Sequence, residues 1–292
     1  MTTATPSATP PAPDDHSAAV GRTETRRGRI DPERAAALAA TLDLDGIPGD
    51  GRTLPPGWHW LYFNPFVRRG EIGADGHPRR GGFLPDVGLP RRMWAGGRVT
   101  YHAPLPLGAE AEKRSTITDV TAKSGKGGRL VFVTVRHAIH AGGTLCVEEE
   151  QDIVYREAAV PGAPSPTPAP APEGAERSEE VVPDPVLLFR YSALTANGHR
   201  IHYDRAYARD EEHYPDLVVH GPLTATLLQG LAARCRPGLR LHRFSFRGMA
   251  PLFVTAPFRI EAKAGTEPDT LDLWACTPGG GLAMRADVRF TP

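Results

Sequence analysis

Residues 160–185, VPGAPSPTPAPAPEGAERSEEVVPDP, repeat Pro and Ala almost alternately, and that run constrains how everything else can fold. Proline fixes φ and removes an amide donor, so such a segment favours extended, semi-rigid polyproline II and acts as a spacer. It divides the 292-residue chain into two stretches of about a hundred residues, each the size of a small domain. The reading is therefore a tail over residues 1–28, an N-terminal domain over 29–158, a linker over 159–184 and a C-terminal domain over 185–292. The tail is rich in Thr, Ala, Pro and Ser without periodic apolar residues, so it buries too little surface to offset ordering and is expected to be disordered.

The two stretches repeat one order of elements. In the first, Asp31-Pro32-Glu33 opens a helix that runs to Leu42, with Asp as N-cap and Pro in the first turn. A Gly/Pro/Arg-rich loop over residues 64–90 leads to strands at 98–103, 110–121, 130–141 and 144–155, which alternate polar and apolar residues. In the second, a short strand is expected at 186–192, followed by a histidine-bearing loop. A helix then spans 222–235, with Leu223, Leu227, Leu228 and Leu231 at helical spacing, and strands follow at 239–247, 253–263, 270–276 and 282–290. Pattern alone gives an α+β class, twice over.

Composition excludes several functions. Lys plus Arg and Asp plus Glu each number 34, so no global charge draws the chain to nucleic acid or an anionic membrane. No apolar run approaches the roughly 18 residues of a membrane span. Arg26-Arg27 is followed by GRIDPER where an export signal needs an apolar region. Cys146, Cys235 and Cys276 are odd in number and lack metal-ligand spacing, which suits buried thiols in a reducing cytoplasm.

Chemistry concentrates in residues 189–204, FRYSALTANGHRIHYD. Asn197 stands five residues ahead of His202, with His199 between them. An imidazole gives or takes a proton near neutrality, and an amide holds a water or carbonyl without ionising. Asn197-Gly198 is also a turn dipeptide, and Asp204 is suited to cap a following helix near residues 206–209. His220-Gly221-Pro222 starts the second helix; Pro222 has no N–H, so the Gly221 amide is the donor that developing negative charge would meet. No third ligand accompanies His199 and His202, and no metal is expected. His137 and His140 are three apart on one strand and face opposite ways. The arginines at 68, 69, 79, 80, 91 and 92 read as a solvated loop, with a clamp for coenzyme A phosphates as the lesser alternative.

The string SALTANGHRIHYD resembles the MaoC-like, (R)-specific hydratase-2 family. That family's segment runs aromatic, small, Gly-Asp, then Asn-Pro-x-His. With its last His on His202, its Asp falls on Asn197, its Gly on Ala196, its Asn on His199 and its Pro on Arg200. The string is closer to one branch, the type 2 3-hydroxyacyl-thioester dehydratases and mesaconyl- and itaconyl-CoA hydratases, in which Asn for Asp is usual. VVHGPLTATLL, residues 218–228, resembles the family's second landmark.

The resemblance implies a double hotdog, two curved antiparallel sheets each wrapping a central helix. It implies a hydratase/dehydratase that interconverts 3-hydroxyacyl and trans-2-enoyl thioesters, carried on CoA or on acyl carrier protein, without cofactor. His202 would be the acid/base, Asn197 the water orienter and the Gly221 N–H the donor to the thioester oxygen; His199, His220 and Arg247 would contact substrate. The first hotdog reads MWAGG where ANGHRIH would fall, so it would have given up catalysis and widened the acyl tunnel, with Met93 and Trp94 as candidate walls. A dicarboxylyl-CoA would need a cation in that tunnel, for which Arg247 and Arg190 are candidates. A homodimer is compatible with this reading. The alternatives are a non-catalytic acyl-thioester binding protein, which has no reason to keep His202, and a hotdog thioesterase, which needs a carboxylate near the central helix.

Overall fold

The computed structural model describes residues 16–125, 128–158 and 167–292. Ten strands form one antiparallel sheet: β1 (Thr23–Arg29), β2 (Arg91–Tyr101), β3 (Glu110–Gly125), β4 (Gly128–Ala141), β5 (Thr144–Arg156), β6 (Arg177–Val181), β7 (Arg240–Gly248), β8 (Phe258–Ala264), β9 (Thr270–Cys276) and β10 (Leu282–Thr291). Their order is β1-β3-β4-β5-β2-β7-β10-β9-β8-β6, so each half supplies five strands and β2 meets β7 in the middle. Gly96 and Gly97 allow that junction: a Cβ at Gly96 would come within 2.5 Å of the Phe246 carbonyl, and one at Gly97 within 2.8 Å of the Glu150 carbonyl. The sheet halves are therefore fused edge to edge rather than separate.

Three helices accompany the sheet: α1 (Pro32–Thr41), α2 (Pro185–Leu194) and α3 (Gly221–Cys235). Asp31 caps α1 as expected, its carboxylate accepting from the Glu33 N–H at 3.0 Å. Helix α3 lies against β7, β8, β9 and β10, with Leu223, Leu228 and Leu231 fully buried. The halves are tied together through α3, because the Gln229 side-chain oxygen accepts from the Tyr101 hydroxyl at 2.6 Å, and that hydroxyl accepts from the Gly57 N–H at 2.7 Å. Arg91 adds an ion pair to Glu212 at 2.7 Å.

Three expectations are corrected. Residues 1–15 of the expected tail lie outside the described residues, but residues 23–29 form β1, paired with β3 from Thr23↔Thr116 to Arg29↔Glu110. Its sequence TETRRGR has no apolar alternation because it is an edge strand, and charged side chains protect an edge from further pairing. The linker shows the same physics. Residues 159–166 lie outside the described residues, whereas Pro170 bridges Gly281 and β6 closes the far edge against β8. Its Glu179 is held by Arg177 and Arg234. The expected strand at 186–192 is α2, which Asp184 caps by accepting from the Leu187 N–H at 2.8 Å, with Pro185 in the first turn. No helix among the described residues is long and apolar enough to cross a membrane.

Candidate active site

The C-terminal end of α2 delivers Asn197. The chain turns at Ala196, which takes a positive φ of 50°, and the Asn197 N–H returns to the Ser192 carbonyl at 2.8 Å. The Asn197 side-chain oxygen accepts from the His199 N–H at 3.0 Å, an Asx turn. The turn reading of this residue holds, since its carbonyl shapes the turn, and its side chain also lines the cavity.

His202 ends the one-turn helix Arg200–His202 and is buried. Its Nδ1 lies 2.7 Å from the Val218 carbonyl oxygen, which can only accept, so Nδ1 carries the proton and Nε2 is left basic. Burial lowers its pKa to about 4, against the opposing pull of the Val218 carbonyl, so the ring is neutral at physiological pH. The His220 ring stacks on it with centroids 3.6 Å apart, and His220 Nε2 lies 2.8 Å from the Ser192 hydroxyl. Burial and the neighbouring imidazoles hold His220 well below the usual histidine range.

The row of rings continues into the first half. His199 meets His202 edge-on at 5.6 Å and His77 at 4.2 Å, and Asp75 Oδ2 accepts from His77 Nδ1 at 3.0 Å. Burial pushes the Asp75 carboxyl up, but the hydrogen bond from His77 and its charge outweigh that and hold it below the usual carboxylate range. Burial also depresses both His77 and His199. The loop bearing Asp75 reaches the site by a backbone crossing that only glycine allows. A Cβ on Gly76 would sit 1.8 Å from the Gly198 carbonyl oxygen, and one on Gly198 would sit 2.5 Å from that of Gly76. Arg200 fixes the crossing, its N–H donating to the Asp75 carbonyl at 2.9 Å and its guanidinium to the Ala74 carbonyl at 3.0 Å. Asp75, His77 and His199 are the one group among the described residues whose donor atoms lie close enough, within 4.8 Å, to share a metal ion.

His220 is the N-cap of α3 and Gly221 its first residue. The first amides of a helix lack intrahelical acceptors. A Cβ built on Gly221 meets nothing within 4 Å, so the space around its backbone is open. A cavity of about 190 Å³ adjoins this helix start through Pro222 and is walled on the same side by Tyr191, Thr195 and Asn197. Its other walls come from the first half and include Trp60, Trp94, Lys113, His137 and Glu149.

Of the residues expected at the site, His202, Asn197, His199, His220 and Gly221 are brought together. Arg247 is not: it is exposed on β7, between the buried Phe246 and the exposed Gly248. Arg190 is likewise exposed, on α2. Trp94 lines the cavity, whereas Met93 is 38% exposed. His137 and His140 do face opposite ways, but His137 reaches the cavity wall. Sequence reasoning missed Asp75 and His77, whose only local signal was a D-x-H in a glycine-rich loop, and Ser192, which looked like the end of a strand.

The described geometry has counterparts among known proteins. The family model for hydroxyacyl-thioester dehydratase type 2 matches residues 57–254. Mesaconyl-C(4)-CoA hydratase of Chloroflexus aurantiacus is 50% identical over 278 residues, covering 94% of this chain and 98% of that protein. A MaoC-like dehydratase from Phytophthora capsici superposes with a TM-score of 0.68 at 13% identity, covering 93% and 96% of the two chains. A Mycobacterium tuberculosis protein described as a double hotdog superposes with a TM-score of 0.53 at 14% identity, covering 93% and 96%. The architecture is a double hotdog.

Proposed function

The chain belongs to the hydroxyacyl-thioester dehydratase type 2 family and is an acyl-thioester hydratase/dehydratase, a hydro-lyase; from that premise we propose that it hydrates a short enoyl-CoA, of which mesaconyl-CoA is the leading candidate, with His202 as the acid/base. The observation that carries the residue assignment is the His202 hydrogen bond to the Val218 carbonyl, which fixes the tautomer and leaves Nε2 unprotonated. Nε2 takes a proton from water as the water oxygen bonds to the β-carbon, and the Cα=Cβ electrons move onto the thioester oxygen. The Gly221 N–H at the start of α3 is the donor to that enolate oxygen, where the helix end favours negative charge. The enolate then collapses as the imidazolium returns the proton to the α-carbon. One imidazole serves both transfers, because Asn197 cannot ionise and only orients the water.

Choice of CoA and of a mesaconyl-type acyl group rests on the 50% identity to the Chloroflexus hydratase. The free thiols Cys146, Cys235 and Cys276 suit a reducing cytoplasm. The test is loss of enoyl absorbance with mesaconyl-C4-CoA and crotonyl-CoA, run beside His202→Ala, with free thiol measured in parallel. Hydration without thiol release, falling by about 10²–10⁴ in the folded variant, is the expected result. Thiol release would mean a thioesterase; undiminished hydration by the variant would remove His202 from the mechanism.

A further inference from the structure

The inner face of the first half carries a polar stripe where a sheet of this kind is ordinarily apolar. Lys113 and Ser115 on β3, His137 on β4, and Glu149 and Gln151 on β5 take inward positions in the strand alternation. They separate two apolar clusters, one around Ile117, Val133 and Tyr155 and the other around Val99, Ile139 and Val147. All but Ser115 line the cavity whose opposite wall is Asn197 and Pro222.

Most of the stripe is satisfied internally. Glu149 uses both oxygens, one on His59 Nε2 at 3.1 Å and one on the Trp60 indole N–H at 3.0 Å. His137 faces the Gln151 side-chain oxygen at 3.2 Å, so its Nε2 is the protonated nitrogen, and its Nδ1 accepts from the Ser115 hydroxyl at 2.8 Å. That leaves the Gln151 amide nitrogen as a donor with no acceptor among the described residues.

Lys113 is different. No carboxylate of the described residues lies within ion-pair distance of its ammonium; its close contact is the ring of Phe63, 5.8 Å away. Glu149 is engaged as above, and Glu24, on the neighbouring strand, is taken by Arg26 at 2.9 Å. Burial depresses the amine below its ordinary range, against the opposing pull of the Glu149 and Glu24 charges. An ammonium and an amide N–H facing one cavity, whose wall carboxylate Glu149 is already bonded to His59 and Trp60, form a receptor for a second carboxylate. The volume of about 190 Å³ holds the equivalent of about six waters. That is room for a short acyl group.

We propose that Lys113, aided by Gln151, binds a carboxylate at the far end of the acyl group, so that the enzyme selects thioesters of short unsaturated dicarboxylic acids. The inference rests on the hydratase reading above and assigns its substrate selectivity to the non-catalytic half. The cation expected from Arg247 or Arg190 is supplied by β3 instead.

The test compares kcat/KM for mesaconyl-C4-CoA and for crotonyl-CoA, which has no second carboxylate, in the wild type, Lys113→Met and Lys113→Arg. Loss of one partner of a desolvated charge pair lowers kcat/KM by about 10²–10³. Lys113→Met should show that loss on mesaconyl-C4-CoA with crotonyl-CoA turnover unchanged or improved, and Lys113→Arg should keep the preference for the dicarboxylyl substrate. Thermal melts establish that each variant is folded, and Lys113→Gln replaces Lys113→Met if the latter is not. An equal fall on both substrates would make Lys113 a structural residue and overturn the proposal. So would a wild type that hydrates crotonyl-CoA but not the mesaconyl thioester, while the hydratase reading stood. A wild type inactive on both would bring down that reading and the subsite with it.

Discussion

The two halves have five strands each but differ in what covers the inner face. In the C-terminal half, α3 lies across the sheet and fills it with Leu223, Leu228 and Leu231. In the N-terminal half, α1 packs against α2 and the turn Trp58–Leu61, and the inner face carries Lys113, His137 and Glu149 beside Trp60 and Trp94. In the proposed reaction the long helix has a use beyond packing, since its first amides are the donors assigned to the forming enolate. Replacing it in the other half by one short turn leaves room for a cavity. Buried polar groups cost stability unless paired, and the stripe offsets most of that cost through its Ser115–His137–Gln151 and His59–Glu149–Trp60 bonds. On the proposed mechanism the C-terminal half supplies the base and the helix end, and the N-terminal half supplies shape and charge.

The halves are joined most tightly where Gly76 crosses Gly198, and the largest effect should come from breaking that contact. Gly76 has a φ of +89°, and an added Cβ would lie 1.8 Å from the Gly198 carbonyl oxygen. Gly76→Ala should cost about 2–5 kcal/mol, combining left-handed strain with the backbone shift needed to relieve the clash. It should also lower turnover, because the loop carrying Asp75 and His77 would lift from His199. Gly81 is the control: its φ is also +89°, but its Cβ would meet nothing within 4 Å. Gly81→Ala should cost about 1–2 kcal/mol with activity intact. Urea melts and kcat on both variants check this, and equal effects would mean the crossing contributes nothing beyond backbone strain.

How much of this was legible in the sequence depended on whether the signal was local. The caps at Asp31-Pro32, the leucine spacing of α3 and the alternation of β3, β4 and β5 all lie within one element, and each was read correctly. Helix α2 carried the same Asp-Pro signal at Asp184-Pro185, but the run VLLF that follows also suits a strand. The edge strands β1 and β6 were missed because edges are charged on both faces, so composition resembled a tail and a linker. His202, Asn197 and Gly221 were proposed from their spacing and the motif around them, and the fold brings them into one region. Lys113, Ser115, His137, Glu149 and Gln151 escaped because each occupies an inward position that alternation assigns to apolar residues. Their common purpose appears only when three strands are placed side by side. Asp75 and His77 were illegible for a different reason, since their partner His199 lies in the other half of the chain.

Protonation offers a smaller and graded way to separate the halves. His77, His199, His202 and His220 cluster at the catalytic site and His137 lies in the stripe, and burial lowers the pKa of all five. An unfolded histidine titrates near 6.5. The unfolded chain therefore binds more protons than the folded one below that pH, and stability falls as pH drops. For His202 the loss runs from about 6.5 down to its folded value of about 4. The urea midpoint should decline steadily from pH 7 to pH 5, while kcat/KM of the folded enzyme holds until the pH nears 4. His202→Gln should make the decline shallower. A flat midpoint over that range would mean that the rings titrate in the folded chain as they do in the unfolded one, and burial would then not be what keeps His202 neutral.

The smallest effect should come from Asp75→Asn, which keeps the loop's shape and removes only its charge. Asp75 Oδ2 accepts from His77 Nδ1, and the His77 ring lies against His199, next to the catalytic imidazole. On the proposed mechanism Asp75 is a positioning residue, contributed by the half that lacks the base. A hydrogen bond to a charged group is worth about 1.5–3 kcal/mol, and the amide oxygen can still accept a weaker one. A fall in kcat of about tenfold, equivalent to about 1.4 kcal/mol, is expected with KM nearly unchanged, because the substrate's own contacts are untouched. His77→Ala should reproduce it, and combining the two should add little, since both act through one contact. A rise in KM at constant kcat would instead put Asp75 in substrate binding, and the division of labour between the halves would have to be redrawn.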